Sequence, residues 1–136
     1  MHPKTHDLVR AMDWAELVSV GPTTTLRTVA TVLADYEVGA AVVQPSMDLP
    51  AGIVSERDIV SALARGLDPD ITVAADVMTR ELITIEPSEP IDDAVARVLA
   101  HRIRHLAVVD GDEIVGLISA RDLLTIVASQ AVPGII

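Results

Sequence analysis

The sequence has no cysteine and no phenylalanine, and it holds one tryptophan and one tyrosine among 136 residues. The lack of cysteine excludes disulfides, thiolate metal sites and cysteine nucleophiles. Without aromatic bulk, the core of a chain that is 50% hydrophobic has to consist of valine, isoleucine, leucine and alanine. Such a core is typical of alternating strands and helices.

Positive charge is also scarce, because 10 lysines and arginines stand against 20 acidic residues and give a net charge of −10. There is no basic patch with interleaved aromatics, which argues against nucleic-acid binding. No apolar run approaches the roughly 18 residues of a membrane span, and the first residues lead into no signal core. We therefore expect a cytoplasmic protein, whose mean hydropathy of +0.43 favours burial of apolar surface in a homodimer or larger oligomer.

One seven-residue stretch occurs twice in the chain. Residues 52–58 read Gly-Ile-Val-Ser-Glu-Arg-Asp, and residues 116–122 read Gly-Leu-Ile-Ser-Ala-Arg-Asp, 64 positions later. Pro22 and Pro87 are 65 positions apart, so we place a one-residue insertion in the turn of the first half. A repeat of this length predicts one structural unit used twice, in halves of about 60 residues that would each be marginally stable alone.

The hydrophobic pattern predicts the order strand, helix, strand, strand, helix in each half. The first half is predicted to have strands at 17–20, 40–43 and 51–54. Its helices are predicted from Thr24 or Thr25 to an end between Tyr36 and Gly39, and over 55–65. The second is predicted to have strands at 82–85, 106–109 and 113–118, and helices over 90–102 and 119–130. We also predict a lead-in helix over 5–14 and a matching helical turn at 75–78.

Two copies of β-α-β-β-α, each with Gly-apolar-apolar-Ser-x-x-Asp at the last strand-to-helix junction, resemble the cystathionine-β-synthase (CBS) domain, and their tandem arrangement resembles a Bateman module. Residues 76–79 (Asp-Val-Met-Thr), 83–87 (Ile-Thr-Ile-Glu-Pro) and 104–110 (Arg-His-Leu-Ala-Val-Val-Asp) are also similar to the family. The resemblance implies an α/β (α+β) fold. Its repeats would be 1–70, with the lead-in helix, and 71–136, with the linker.

The resemblance further implies that the two repeats pack with pseudo-twofold symmetry and form clefts between them. In this family such clefts commonly bind adenosine-containing ligands such as AMP, ATP or S-adenosylmethionine, and the modules often dimerise. The chain then looks like a stand-alone regulatory module that senses an adenosyl ligand and changes its contacts with a partner. The alternative is a constitutive adaptor whose clefts stay empty.

Each motif has a chemistry that fits a nucleotide. A serine at a strand-to-helix junction and the free N–H groups of the helix can hold a phosphate. An ionised aspartate in the first turn can accept two hydrogen bonds from ribose hydroxyls. By resemblance, Asp58 and Asp122 would hold ribose, and Ser55 and Ser119 would hold phosphate.

The remaining candidate residues lie near these motifs in the predicted elements. By resemblance, Ser19 or Thr84 would present polar groups to adenine, and Val20 and Ile85 would close on the ring. The cations that could balance phosphate charge are Arg57, Arg121, Arg104 and His105.

Each of these residues also has a plain structural explanation. Ser-x-x-Asp is a helix capping box, in which the aspartate accepts a hydrogen bond from the serine N–H. Arg104 and His105 follow a predicted helix, where cations are favoured in any case, and Arg57 and Arg121 could form surface ion pairs.

Catalysis and metal binding have little support in the sequence. His101 and His105 are four residues apart, but a helix is predicted to end between them and no third ligand is spaced nearby. There is no recognisable serine, histidine and acid arrangement and no phosphate loop. We therefore expect neither an enzyme nor a cofactor.

Overall fold

The structure is a computed structural model that describes residues 3–14, 17–47 and 49–131. The elements of the first repeat are β1 (Ser19–Val20), α1 (Leu26–Tyr36), β2 (Ala40–Val43), β3 (Gly52–Ser55), α2 (Glu56–Ala64) and the short α3 (Ala74–Val77). Those of the second are β4 (Thr84–Ile85), α4 (Ile91–His101), β5 (His105–Asp110), β6 (Glu113–Ser119) and α5 (Ala120–Ala131). The predicted β-α-β-β-α order is confirmed in both repeats. No helix of these ranges is long and apolar enough to cross a membrane.

Each repeat has its own three-stranded mixed sheet, in the orders β1-β2-β3 and β4-β5-β6. The first two strands of each sheet are parallel and the last two antiparallel. Ala40 is paired with Ser55 in one sheet, and His105 with Ser119 in the other. These equivalent pairs place the change of offset from 65 to 64 between the two antiparallel strands, which confirms the predicted insertion in the first turn.

The ends of α1 and α4 show the same repeat in backbone detail. Thr25, one of two predicted caps, begins α1 by accepting a hydrogen bond from the Thr28 N–H at 3.3 Å. The two helices end at Glu37 (φ 55°) and Arg102 (φ 53°), which both adopt the left-handed conformation that caps a helix C-terminus. These residues are 65 positions apart, so the two repeats share this conformation as well. It is a backbone conformation that glycine adopts more easily than other residues, yet neither repeat has a glycine there.

Helices cover one face of each sheet and form its hydrophobic core. In the first repeat the strand residues of this core are Val20, Ala41, Val43 and Val54, packed with Val29, Leu33 and Ile59 of the helices. In the second they are Ile85, Leu106, Val108 and Ile118, packed with Ile91, Ala94 and Leu123. The aliphatic composition predicted from the lack of aromatics is confirmed in both cores.

The predicted lead-in helix over 5–14 is wrong for most of its length. Only Val9–Ala11 form a single 3-10 turn. The Val9 N–H donates to the Glu89 carbonyl at 2.7 Å, and the Ile91 N–H donates to the Asp7 carbonyl at 2.7 Å. Apart from the hydrogen bonds of its own short turns, the segment therefore makes its backbone hydrogen bonds with the second repeat.

The segment around α3 makes the corresponding bonds with the first repeat. The Ala74 N–H donates to the Thr24 carbonyl at 2.8 Å, and the Leu26 N–H donates to the Thr72 carbonyl at 2.9 Å. Thr24 and Leu26 are 65 positions before Glu89 and Ile91, whereas Thr72 and Ala74 are 65 positions after Asp7 and Val9. Residues 17–82 accordingly form one packing unit, whereas residues 3–14 pack with the second repeat. The predicted boundaries 1–70 and 71–136 follow chain order, whereas in the packing residues 3–14 go with the second repeat and residues 71–82 with the first.

The glycine of each motif leaves room for one of these segments. A Cβ on Gly52 would lie 2.6 Å from Met78 Sδ and 2.9 Å from the Thr79 carbonyl oxygen. A Cβ on Gly116 would lie 2.8 Å from Trp14 Cε3. Neither glycine has a positive φ, so close approach of the neighbouring segment, and not backbone strain, is what excludes a side chain at these positions.

The substitution Val9→Ala tests the contribution of the lead-in segment to the second repeat. Val9 is fully buried in the second core, so we expect Val9→Ala to lower the free energy of unfolding by about 2 kcal/mol. Val60→Ala is the matched control, because Val60 is 64% exposed on α2 and should cost less than about 0.5 kcal/mol. Urea unfolding measures both, and equal costs would contradict this packing.

Candidate functional site

The strand register assigns the polar candidates of the first repeat to one face of its sheet. Ser19 is paired with Val42, and Ser55 with Ala40, so all four side chains point to the same side. The helix-covered core lies on the opposite side, where Val20 belongs. Ser19 is exposed and Ser55 half-buried, so this face, which we call the first polar face, offers two hydroxyls.

The second sheet repeats this arrangement with more polar groups. Thr84 is paired with Ala107, and His105 with Ser119. Because Ala107 is two residues beyond His105 on β5, the side chains of Thr84, His105 and Ser119 share one face. We call this the second polar face; Thr84 is exposed, and His105 and Ser119 are half-buried.

Val20 and Ile85 lie on the opposite side from these hydroxyls. Val20 is buried in the first core and Ile85 in the second. Each side chain packs against helices of its own repeat, so the structure brings neither to a polar face. Their contact with an adenine ring stays a prediction.

The first junction is a complete capping box. The Asp58 N–H donates to Ser55 Oγ at 3.3 Å, and the Ser55 N–H donates to Asp58 Oδ2 at 2.8 Å. The Ser55 hydroxyl also donates to the same carboxylate oxygen at 3.0 Å. The motif therefore forms the helix cap that was the structural alternative, and the cap occupies one of the two carboxylate oxygens of Asp58.

The second junction is only half of such a box. The Asp122 N–H donates to Ser119 Oγ at 3.0 Å. Among the described residues, no hydrogen bond joins the Ser119 N–H to the Asp122 carboxylate, which is exposed. Since no side chain or N–H of this part of the chain occupies the Asp122 oxygens, they can accept hydroxyl groups from solvent or from a ligand.

The candidate cations are concentrated in the second repeat. Arg57 and Arg121 are exposed in the first turns of α2 and α5, and neither forms an ion pair with a described residue. Arg104 is exposed and its carbonyl accepts from the Ala120 N–H at 2.7 Å, beside Ser119. In the first repeat the same bond joins the Glu56 N–H to Gly39, at 2.9 Å, so no cation stands in the position of Arg104.

An ion pair that the sequence did not reveal lies next to the second polar face. Arg97 donates to both carboxylate oxygens of Glu89, at 2.6 and 2.9 Å, and to the Thr84 carbonyl at 3.0 Å. Glu89 also accepts from the Glu86 N–H at 2.8 Å. The two residues are eight apart, and Glu89 precedes α4, so the usual helical spacing of three or four residues gave no signal.

These donors change the titration of Glu89. The hydrogen bonds from Arg97, followed by the one from the Glu86 N–H, lower the pKa of Glu89 from the usual 4.5 to about 2. The same carboxylate raises the pKa of Arg97. The pair therefore stays ionised under all ordinary conditions.

The two histidines that are four residues apart lie in different elements, His101 in α4 and His105 in β5. No group of three or more histidines, aspartates and glutamates among the described residues could hold a metal ion. His101 is exposed at the end of α4, and His105 is half-buried in β5.

The two capping aspartates should differ when each is replaced by alanine. We expect Asp58→Ala to lower the free energy of unfolding by about 1 kcal/mol, because it removes one half of a complete capping box. Asp122→Ala should cost less than about 0.5 kcal/mol, because Asp122 makes no such bond. Chemical unfolding of both variants in the absence of nucleotide decides this, and a larger cost at Asp122 would contradict the difference.

The Glu89–Arg97 pair should make stability depend on pH. The folded-state pKa of Glu89 is lowered, so its contribution is complete above pH 4.5 and is lost as the pH falls through about 2. At pH 7 we expect Glu89→Gln to cost about 1 kcal/mol. In urea unfolding across this pH range, the difference from the parent protein should vanish towards pH 2. Glu81→Gln, at an exposed site without an ion pair among the described residues, is the control.

Comparisons with known proteins also find two repeats in this chain. The model of the CBS domain family matches residues 7–65 and 73–129. A solved structure of a CBS domain protein from Pyrobaculum aerophilum, complexed with AMP, is 36% identical with a TM-score of 0.79, and the match covers 92% of this chain and 98% of that one.

Curated relatives show the same likeness over most of the chain. The CBS domain-containing protein YhcV of Bacillus subtilis is 31% identical over 109 residues, which are 79% of this chain and 76% of the relative. An uncharacterized protein of Methanopyrus kandleri is 29% identical over 113 residues, 82% of this chain and 58% of the relative. The chain thus spans a little over half the length of that relative. With two family matches and the fold that goes with them, the chain belongs to the CBS domain family.

Proposed function

We propose that the chain is a regulatory module that binds an adenosine nucleotide, AMP, ADP or ATP, at its polar faces. The observation that carries this proposal is the second polar face. There Thr84, His105 and Ser119 share one side of the sheet, and Ser119 begins a helix whose first turn exposes Arg121 and the unoccupied carboxylate of Asp122. This set offers hydroxyls, a cation and an anion, which are the groups that recognise a nucleotide.

The charges of this set suit the parts of a nucleotide. The ribose hydroxyls can donate to Asp122, and the phosphate can accept from the Ser119 hydroxyl and from the Arg121 N–H in the first turn of α5. Arg104 and Arg121 supply the local positive charge that a phosphate needs in a chain whose net charge is −10. The first polar face has Ser19, Ser55, Asp58 and Arg57 for the same roles but nothing in place of Arg104.

The similarity to a protein in complex with AMP supports the choice of ligand. The Pyrobaculum aerophilum protein is 36% identical to this chain over 92% of its length. Because repeats of that similarity share a backbone, the polar groups at the strand-to-helix junctions are expected in equivalent places. We infer adenine, ribose and one phosphate as the common part of the ligand.

A ligand regulates only if it binds one arrangement of the protein more tightly than another. We infer that the arrangement it changes is a contact with a second copy of the chain or with another protein. Val60 and Leu63 on α2 and Leu124 on α5 are exposed apolar side chains that could form such a contact. Ile59 and Leu123 on the same helices are buried in the cores and are not available.

The first junction favours a second candidate function, a constitutive adaptor. Asp58 has its hydrogen bonds within the capping box and needs no ligand to be satisfied. If the second repeat behaved in the same way, both motifs would be helix caps and the protein would act through its surfaces alone.

Thermal unfolding with added ligand separates these functions. A nucleotide at 100 times its dissociation constant should add about 2.7 kcal/mol, which is roughly 10 °C in melting temperature for a chain of this size. AMP, ADP and ATP should shift the melting temperature, each over a concentration series, with S-adenosylmethionine and NADH as further adenosyl probes. Asp122→Ala should remove the shift.

The matched control for Asp122→Ala is Asp58→Ala at the other junction. If only the second repeat binds, Asp58→Ala should lower the melting temperature without nucleotide and keep the nucleotide shift. No saturable shift with any of the five compounds would favour the adaptor and sink the sensor.

A further inference from the structure

The two polar faces differ in what holds the first strand of their sheet. In the second repeat the Arg97 guanidinium donates to the Thr84 carbonyl at 3.0 Å while it is bound to both oxygens of Glu89. In the first repeat the equivalent positions are Val32 and Thr24, 65 residues earlier. Valine cannot donate, so β1 has no such bond.

The position of β4 depends on few other bonds. It is a strand of two residues at the edge of its sheet. The Ile83 carbonyl accepts from the Ala107 N–H at 3.1 Å, so the next carbonyl, that of Thr84, points away from the sheet. An outward carbonyl on an edge strand would otherwise bond to water, and Arg97 replaces that water with a fixed donor.

Glu89 ties the same arginine to the turn that follows β4. Its carboxylate accepts from the Glu86 N–H at 2.8 Å as well as from Arg97. In the first repeat the Thr24 hydroxyl accepts from the Gly21 N–H at 3.0 Å, which holds the turn but reaches nothing on α1. The ion pair of Arg97 and Glu89 thus connects β4, the turn after it and α4. Among the described residues of the first repeat, no side chain makes the corresponding connection between β1, its turn and α1.

We propose that Arg97 is a positioning residue for the nucleotide site of the second repeat, which it makes the tighter of the two sites. This inference rests on the proposed function, since it assigns Thr84 a ligand contact. By holding the backbone of Thr84, Arg97 fixes the hydroxyl on the second polar face before the ligand arrives. The ordering that a mobile edge strand would undergo on binding is then already complete, and affinity rises.

The test compares AMP binding to two variants that each lose a bidentate ion pair. Arg97→Met removes the pair with Glu89 and the bond to Thr84. Arg27→Met removes the pair that Arg27 forms with Asp70 in the first repeat, where no strand of the sheet is contacted. Calorimetric titration with AMP, well below the melting temperature, should show about tenfold weaker binding for Arg97→Met and less than about twofold change for Arg27→Met.

A conservative variant and hydrogen exchange distinguish the positioning role from a loss of overall stability. In Arg97→Lys a single ammonium keeps the charge but cannot reach both Glu89 oxygens and the Thr84 carbonyl together. Its AMP affinity should lie between those of the parent and Arg97→Met. Hydrogen exchange of the amides at 84–86, without AMP, should be faster in both variants and unchanged in Arg27→Met.

The outcomes separate this inference from the function on which it rests. If the parent protein binds none of AMP, ADP and ATP, both proposals fail. If the parent binds AMP and Arg97→Met binds it as tightly as Arg27→Met does, the function stands and the positioning role is wrong. If Asp58→Ala weakens AMP binding more than Asp122→Ala does, the first repeat holds the tighter site and the assignment to the second is wrong.

Discussion

Each repeat depends on the close approach of a neighbouring segment to its motif glycine. This segment is the one around α3 in the first repeat and residues 3–14 in the second. Gly52 leaves space for Met78 and the Thr79 backbone, and the Ile53 and Thr79 N–H groups donate to each other's carbonyls at 3.0 and 2.8 Å. A repeat of about 60 residues buries a smaller share of its surface than a larger domain does and is marginally stable by itself. The segment around α3 completes the first core with Ala74 and Met78, and a side chain at Gly52 would exclude that segment.

The same contact in the second repeat is made by a segment from the start of the chain. Trp14 packs on Gly116, and Val9 enters the second core. Folding of the second repeat therefore requires residues that are synthesised before the first repeat. The first core is complete within residues 17–82, whereas the second core takes Val9 and Met12 from the start of the chain.

The two repeats thus share the same backbone scaffold, and the second repeat has additional charged side chains near its polar face. Asp58 is engaged in its capping box while Asp122 is not, and Arg104 stands where the first repeat has Gly39. Arg97 replaces a valine and reaches the edge strand. Duplication of a fold leaves the backbone of both copies the same, whereas each surface position is free to change, so two similar faces can differ in ligand affinity.

The sequence by itself determined the order of elements, the repeat with its offset of 65 and 64, the aliphatic cores and the serine and aspartate at each junction. These follow from hydrophobic periodicity, turn residues and local spacing, which act over a few residues. Tertiary structure alone decided that residues 3–14 join the second repeat and that Arg97 meets Glu89 and Thr84. The reason is that these contacts join residues from different elements, and their geometry exists only when the sheets and helices have packed.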